Sequence, residues 1–323
     1  MSDFEHEMVS TPDVTLHVTS SGPSRGPAVF LCHGFPETWY SWRHQIVALA
    51  QEGYRVHAPD WRGYGMSTCP SGVSDYGTDK LTGDLCELLD HFGYEHANFV
   101  GHDWGAAALW DMVRLHPQRV ASLYNMSVPF TQPSSPPLEI YEALFADQFF
   151  YMNYFQEVGI AEAELGSNTR RFLRDFFYSA SGEGMASGLA FKAAPRQGTG
   201  LLETLARAPD PLPSWLSEHD LDVYCDAFAR SGFFGPLSFY RNMDDNWRRV
   251  HEVATSLINM PIGFLSGSLD PVGLFTSGAA QKMPNLFSDF RGTTVLEDAG
   301  HWIQQERPED VNVALLTFLD AVC

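Results

Sequence analysis

Short apolar runs alternate with helical spacings through the first 130 residues. AVFLC (28–32) and NFVG (98–101) read as buried strands, and RVHAPD (55–60) and SLYNMS (122–127) carry a fainter form of the same pattern. Between them, Trp42, Ile46, Leu49 and Ala50 share one helical face and stop at Gly53. Leu81, Leu85, Leu88, Leu89 and Phe92 do the same before Gly93, so two amphipathic helices are expected. Strands and helices in alternation predict an α/β fold with a mostly parallel central sheet and helices on both faces.

The pattern breaks after Phe130. TQPSSPP (131–137) punctuates the chain, and the following hundred or so residues read as helix and loop, rich in aromatics and without a convincing strand. Strand-like text returns at PIGFLSG (261–267). A closing helix places Val311, Ala314, Leu315, Phe318, Leu319 and Val322 on one face. The expected organisation is a core domain made of residues 1–130 and 251–323, interrupted by a helical cap, or lid, over 131–250.

Charge narrows the function classes. Lys and Arg number 20 against 40 Asp and Glu, a formal net charge of -20 over 323 residues. Such a surface repels phosphate backbones and anionic lipid, which argues against nucleic-acid and membrane partners. Cys32, Cys69, Cys86, Cys225 and Cys323 are odd in number, scattered, and lack a C-x-x-C pair, so neither a disulfide framework nor a zinc site is expected. No apolar run approaches the length of a membrane span, and the first 25 residues carry no leader-like pattern. A cytoplasmic location is the expectation.

The candidate chemistry begins at FVGHDWGAAALW (99–110), which reads as strand, tight turn and helix. Gly101 and Gly105 flank the turn, and Ala106, Ala107 and Ala108 allow the helix to approach the sheet. Such a turn lifts its central side chain to a helix N-terminus, where a carboxylate stays ionised. Here that side chain is Asp103, which could also act as a plain helix cap. A literal G-x-S-x-G occurs at GPSRG (22–26), but it contains Pro23 and leads into a strand, so Ser24 belongs to a turn. Downstream, GFLSGSLDPV ends a strand with Asp270, and LEDAGHWIQ presents His301 in a loop. The order nucleophile, acid, histidine matches that of α/β-hydrolase triads, with Asp298 as the alternative acid. FLCHGFPETW offers the backbone N–H of Phe35, and Trp104 offers a second N–H, as an oxyanion hole; both side chains are also candidates for substrate contact.

HGFPE, DWRGYGMS (60–67), GHDWG, the Asp270 strand end and GHW (300–302) together resemble the epoxide hydrolases of the α/β-hydrolase fold, across nearly the whole chain. YMNYFQEVGIAEAEL (151–165) and SGFFGPLSFYRNMDDNW (231–247) resemble the lid segments carrying that family's ring-opening tyrosines. The resemblance places them at Tyr151 and Tyr240, with Tyr154 a neighbour of the first, and implies a cis bond before Pro36. It further implies an alkyl ester on Asp103, hydrolysed by water that His301 and Asp270 activate, to give a vicinal diol. The implied partners are a small apolar epoxide and water, without metal or organic cofactor; a homodimer is compatible. Neither His-Glu pair, at 6–7 and 251–252, is followed by a second histidine at Ser10 or Thr255, so the H-E-x-x-H zinc pattern is missing.

Three alternatives remain. A haloalkane or haloacid dehalogenase shares the nucleophile and histidine, although the fluoroacetate dehalogenases of this resemblance place an arginine where Trp104 stands. An ester hydrolase lacks its serine. A non-catalytic ligand-binding protein on the same fold is the third. The aromatic-rich lid, with Phe145, Phe149, Phe150, Phe155, Phe172 and Phe176, suits an apolar substrate and would equally pack the lid onto the core.

Overall fold

Eight strands form one sheet among the described residues of this computed structural model, which are 4–189, 191–253, 258–276 and 278–323; Thr255 lies outside them. The strands are β1 (Glu5–Ser10), β2 (Thr15–Ser21), β3 (Ala28–Cys32), β4 (Arg55–Pro59), β5 (Ala97–His102), β6 (Val120–Met126), β7 (Ile262–Gly267) and β8 (Phe290–Leu296). Their order is β1-β2-β4-β3-β5-β6-β7-β8. The first two pairings, β1 with β2 and β2 with β4, are antiparallel and the rest parallel.

The central strands are largely apolar because both their faces are covered. Phe30 and Phe99 point into a cluster with Leu81, Leu85 and Leu88 of α2 (Thr78–Phe92) and Ala108 and Met112 of α3 (Trp104–Leu115). Their neighbours Val29, Leu31 and Val100 point to the other face. There they meet Trp42, then Ile46 and Leu49 of α1 (Arg43–Gln51), and Leu315 and Leu319 far down the chain. Each such side chain, fully buried, stabilises the fold by about 1.5–3 kcal/mol before entropy is charged against it. Gly93 ends α2 in the left-handed conformation, φ 79°, as its place after the apolar stripe predicts.

Between β6 and β7 the chain is helical: α4 (Pro137–Leu144), α5 (Tyr151–Tyr154), α6 (Ile160–Ser167), α7 (Thr169–Ala180), α8 (Gly182–Ala186), α9 (Leu201–Thr204), α10 (Glu218–Ser231), α11 (Phe234–Arg241) and α12 (Met243–Val250). Its aromatic residues Phe155, Phe172, Phe177 and Phe239 share one continuous cluster with Phe30 and Phe99 of the sheet. Beyond β7 come α13 (Val272–Phe275), α14 (Ala279–Lys282), α15 (Ile303–Glu306) and α16 (Pro308–Asp320). No helix of the described residues is long and apolar enough to cross a membrane.

Three strands escape a reading of hydropathy. β1 and β8 are sheet edges with mostly exposed or half-buried side chains, so little apolar signal marks them. β2 is buried, but through polar pairs: His17 Nδ1 lies 2.8 Å from Asp60, and Ser20 Oγ 2.8 Å from His57.

Candidate active site

β5 ends at His102 and α3 starts at Trp104, leaving Asp103 alone in the turn with φ 51° and ψ -116°. A non-glycine residue held at such angles stores on the order of 1–3 kcal/mol. The surroundings enforce it by close approach. A Cβ on Gly34 would lie 2.4 Å from the Asp103 Cβ, and a Cβ on Gly105 only 2.0 Å from the carbonyl oxygen of Cys32. The glycines of HGF and GHDWG are therefore spatial requirements of one tight junction between two loops and a helix start. The Phe35–Pro36 peptide bond in the first loop is cis.

Asp103 faces two donors. The Phe35 N–H donates to Oδ1 at 2.9 Å, and His301 Nε2 lies 3.5 Å from Oδ2. The other ring nitrogen of His301 lies 3.0 Å from Asp270 Oδ1, which also accepts from the Val272 N–H at 2.9 Å. Asp298 lies elsewhere: it is exposed, and its own N–H donates to Ser268. Trp104 opens α3, so its N–H is among the helix's unpaired first amides.

Charge sets the protonation states. Burial works against the charge on His301, but Asp270 and Asp103 on either side outweigh it and hold the ring well above the usual histidine range. Burial likewise opposes ionisation of Asp103 and Asp270, and His301 reverses it, so both carboxyls titrate below their ordinary value.

Beneath the turn lies a second, fully buried group of polar residues. His102 places Nε2 2.7 Å from the carbonyl oxygen of His301 and Nδ1 2.8 Å from Glu37 Oε2. Glu37 also accepts from the Gly34 N–H and from the side-chain amides of Gln304 and Gln305. Both ring nitrogens of His102 thus face acceptors, and the ring is one of the influences that lower the Asp103 pKa. Glu306 accepts from the N–H groups of Gly300 and Trp302 on either side of His301, and from Gly182 at the start of α8. Glu37 and His102 stand inside HGFPE and GHDWG, yet neither spacing nor hydropathy assigned them a role; their positions follow from these hydrogen bonds.

Tyr151, the first residue of α5, and Tyr240, in α11, meet edge to face with ring centroids 5.9 Å apart. Tyr240 also packs on Trp104 at 4.9 Å and Phe35 at 5.5 Å. Loss of water, then the Asp103 charge, pushes both phenols well above their ordinary pKa, so both remain O–H donors. Neither hydroxyl donates to a described residue. Tyr154 differs: its hydroxyl is committed to Glu164 at 2.9 Å. Asp103, Trp104, Tyr151 and Tyr240 line one cavity of about 360 Å³. A larger groove of about 790 Å³, near Arg170 and Asp222, contains none of them. Among the described residues no His, Cys, Asp or Glu cluster is arranged to hold a metal ion. Ser24 sits in an exposed turn at residues 23–26.

A carboxylate at a strand-to-helix turn, a histidine-carboxylate pair below and two phenols above define a hydrolase of this sheet architecture. Residues 27–308 match the α/β hydrolase fold family. Epoxide hydrolase A of Mycobacterium tuberculosis is 42% identical over 315 residues, covering 97% of this chain and 96% of that one. Epoxide hydrolase 2 of Siraitia grosvenorii is 36% identical, covering 99% of each. The crystal structure of epoxide hydrolase A from Mycobacterium thermoresistibile superposes with a TM-score of 0.91 at 41% identity over 99% of both chains, and the solved structure of an epoxide hydrolase from an endophytic Streptomyces with 0.92 at 37%, covering 98% of this chain and 95% of that one. The chain belongs to the epoxide hydrolases of the α/β-hydrolase fold.

Proposed function

We propose that this protein opens a small, largely apolar epoxide through a covalent ester on Asp103. The observation that carries the reading is the placement of Asp103 between two phenols with unused donors and a histidine held by a second carboxylate. Oδ1 is engaged by the Phe35 N–H, and Oδ2 carries the attacking lone pair. It displaces the epoxide carbon-oxygen bond from the back, while Tyr151 and Tyr240 hydrogen-bond the epoxide oxygen and one of them gives it a proton. Forming the ester removes the Asp103 charge, one of the influences that keeps His301 protonated. His301 then returns its proton to the tyrosinate, which restores the phenol, and the neutral ring is the base of the second step, with Asp270 offsetting the charge it acquires again. Water deprotonated by His301 attacks Cγ of Asp103, the oxyanion forms at the Phe35 and Trp104 N–H groups, and collapse releases the vicinal diol.

Residues 131–250 act in this reading as a cap that brings the tyrosines over a core made of 1–130 and 251–323. The acidic surface and scattered cysteines support a cytoplasmic setting, and a homodimer is compatible with it. The test is turnover of a styrene-oxide-type epoxide beside a chloroalkane. Diol from the epoxide, absent with Asp103→Ala, is expected; halide release without diol would move the assignment to a dehalogenase.

A further inference from the structure

The cavity continues past the tyrosines along α3. Asp103, Ala107, Trp110, Asp111 and Arg114 line it as one stripe of that helix. At about 1.5 Å per residue, Arg114 stands about 16 Å along the axis from Asp103. The walls between are largely apolar, including Val128, Phe130, Ile140 and Met243. Two ionisable side chains at the far end have no part in the chemistry above.

Arg114 is 7% exposed, and its guanidinium carbon lies 4.6 Å from the centroid of the Phe130 ring. Its Nε and Nη2 are buried and make no hydrogen bond with any described residue. Arg62, 2% exposed, uses the same two nitrogens to grip Asp84, each at 2.7 Å. A buried guanidinium left unpaired is costly, and this fold elsewhere satisfies one fully. Asp111, three residues before Arg114, is the nearest counter-charge. The two influence each other's titration, yet no ion pair forms between them. Burial pushes the Asp111 carboxyl up to about 6, with the Thr78 hydroxyl and Arg114 pulling it back. The far end of the cavity is therefore lined by a guanidinium and a carboxyl that do not satisfy one another.

We propose that this end is a subsite for a hydroxyl on the tail of the epoxide substrate, which accepts from Arg114 and donates to Asp111. The inference rests on the epoxide-hydrolase reading and refines its substrate class from apolar to amphiphilic. A hydroxyl fits where the alternatives do not. An apolar tail would leave the guanidinium desolvated and unpaired. A carboxylate would meet the Asp111 carboxyl on the same wall, in a chain of net charge -20.

The test uses four terminal epoxides of matched medium chain length whose other end is a hydroxyl, a methyl ether, a methyl or a carboxylate. Hydrogen bonds to charged groups predict that kcat/KM for the alcohol exceeds that for the alkane by about 10- to 100-fold, mainly through KM. The ether, an acceptor alone, falls between. Arg114→Met brings the alcohol-to-alkane ratio toward one. Because the ratio is read within each protein, a general loss of activity cancels. Asp111→Asn provides a second variant should Arg114→Met fold poorly, and it narrows the alcohol-to-ether gap. Equal rates for alcohol and alkane in the unmodified protein, a ratio that survives Arg114→Met, or a preference for the carboxylate would each overturn the subsite while leaving the epoxide reading intact. No diol from any of the four would overturn that reading and the subsite with it.

Discussion

The two walls of the candidate active site are built differently. On the sheet side, polar atoms are largely paired and held: Asp103 by Phe35, His301 by Asp270, and the loop around His301 by Glu306 and His102. On the helical side, Tyr151 and Tyr240 pack ring against ring, and their hydroxyls donate to no described residue. Pairing on the first wall stores a strained carboxylate in its charged form. Its absence on the second leaves two donors free, which the proposed reaction assigns to the epoxide oxygen. Preorganisation therefore takes two forms within one site, a largely paired network on one wall and two uncommitted donors on the other.

Breaking the sheet-side wall should have the larger effect. Asp103→Ala removes the group proposed to form the ester and should lower diol formation by about four to six orders of magnitude in a steady-state assay, with the melting temperature unchanged or raised because the strain at φ 51° is eased. His301→Gln should spare the first step and lower turnover by about 10³- to 10⁴-fold, so that intact-protein mass after quenching shows one equivalent of substrate on Asp103. An unmodified mass at full occupancy would place His301 in the first step instead.

The helical wall should yield more gradually. Tyr151→Phe and Tyr240→Phe should each slow single-turnover ester formation by about 10- to 100-fold, because the remaining phenol still serves the oxygen. The double variant should lose more than the product of the two, since no donor is left. Simple additivity would mean that the phenols act on separate steps. Tyr154→Phe, which breaks only the contact with Glu164, should leave ester formation within a few-fold of normal.

The smallest effect is that of pH. The Asp103 pKa is lowered, so its charged form persists to more acid solution than an ordinary aspartate's. Ester formation followed by rapid quench should hold its rate as pH falls to about 5 and decline only below about 4. A decline centred near 6 would show that a group other than Asp103 controls the step.

Legibility in the sequence follows the physical source of each feature. β3, β5, α2 and the last helix bury apolar side chains on a regular period, so hydropathy marks them. β1, β8 and β2 lack that signature because edges are half solvated and β2 buries polar pairs instead. At the site, Asp103 and His301 were readable because their turns demand glycine and a fixed chain order. Asp270 stands ahead of Asp298 in the sequence by its strand end and Tyr151 ahead of Tyr154 only by the resemblance, because which way a side chain leaves its backbone shows only in contacts such as Asp270 with His301 and Tyr154 with Glu164. Asp111 and Arg114 were hidden for another reason: on a helix whose other lining residues are apolar or aromatic, two charged positions read as a solvated edge until the cavity is seen to reach them.

The central claim is that an oxygen of Asp103 enters the product. It is tested by a single turnover in 18O-labelled water with enzyme in excess over a styrene-oxide-type epoxide, followed by mass analysis of both the diol and the peptide containing Asp103. The account predicts an unlabelled diol and one heavy oxygen in the Asp103 carboxylate. Heavy oxygen in the diol, with Asp103 unlabelled, would show that water attacks the epoxide directly and would contradict it.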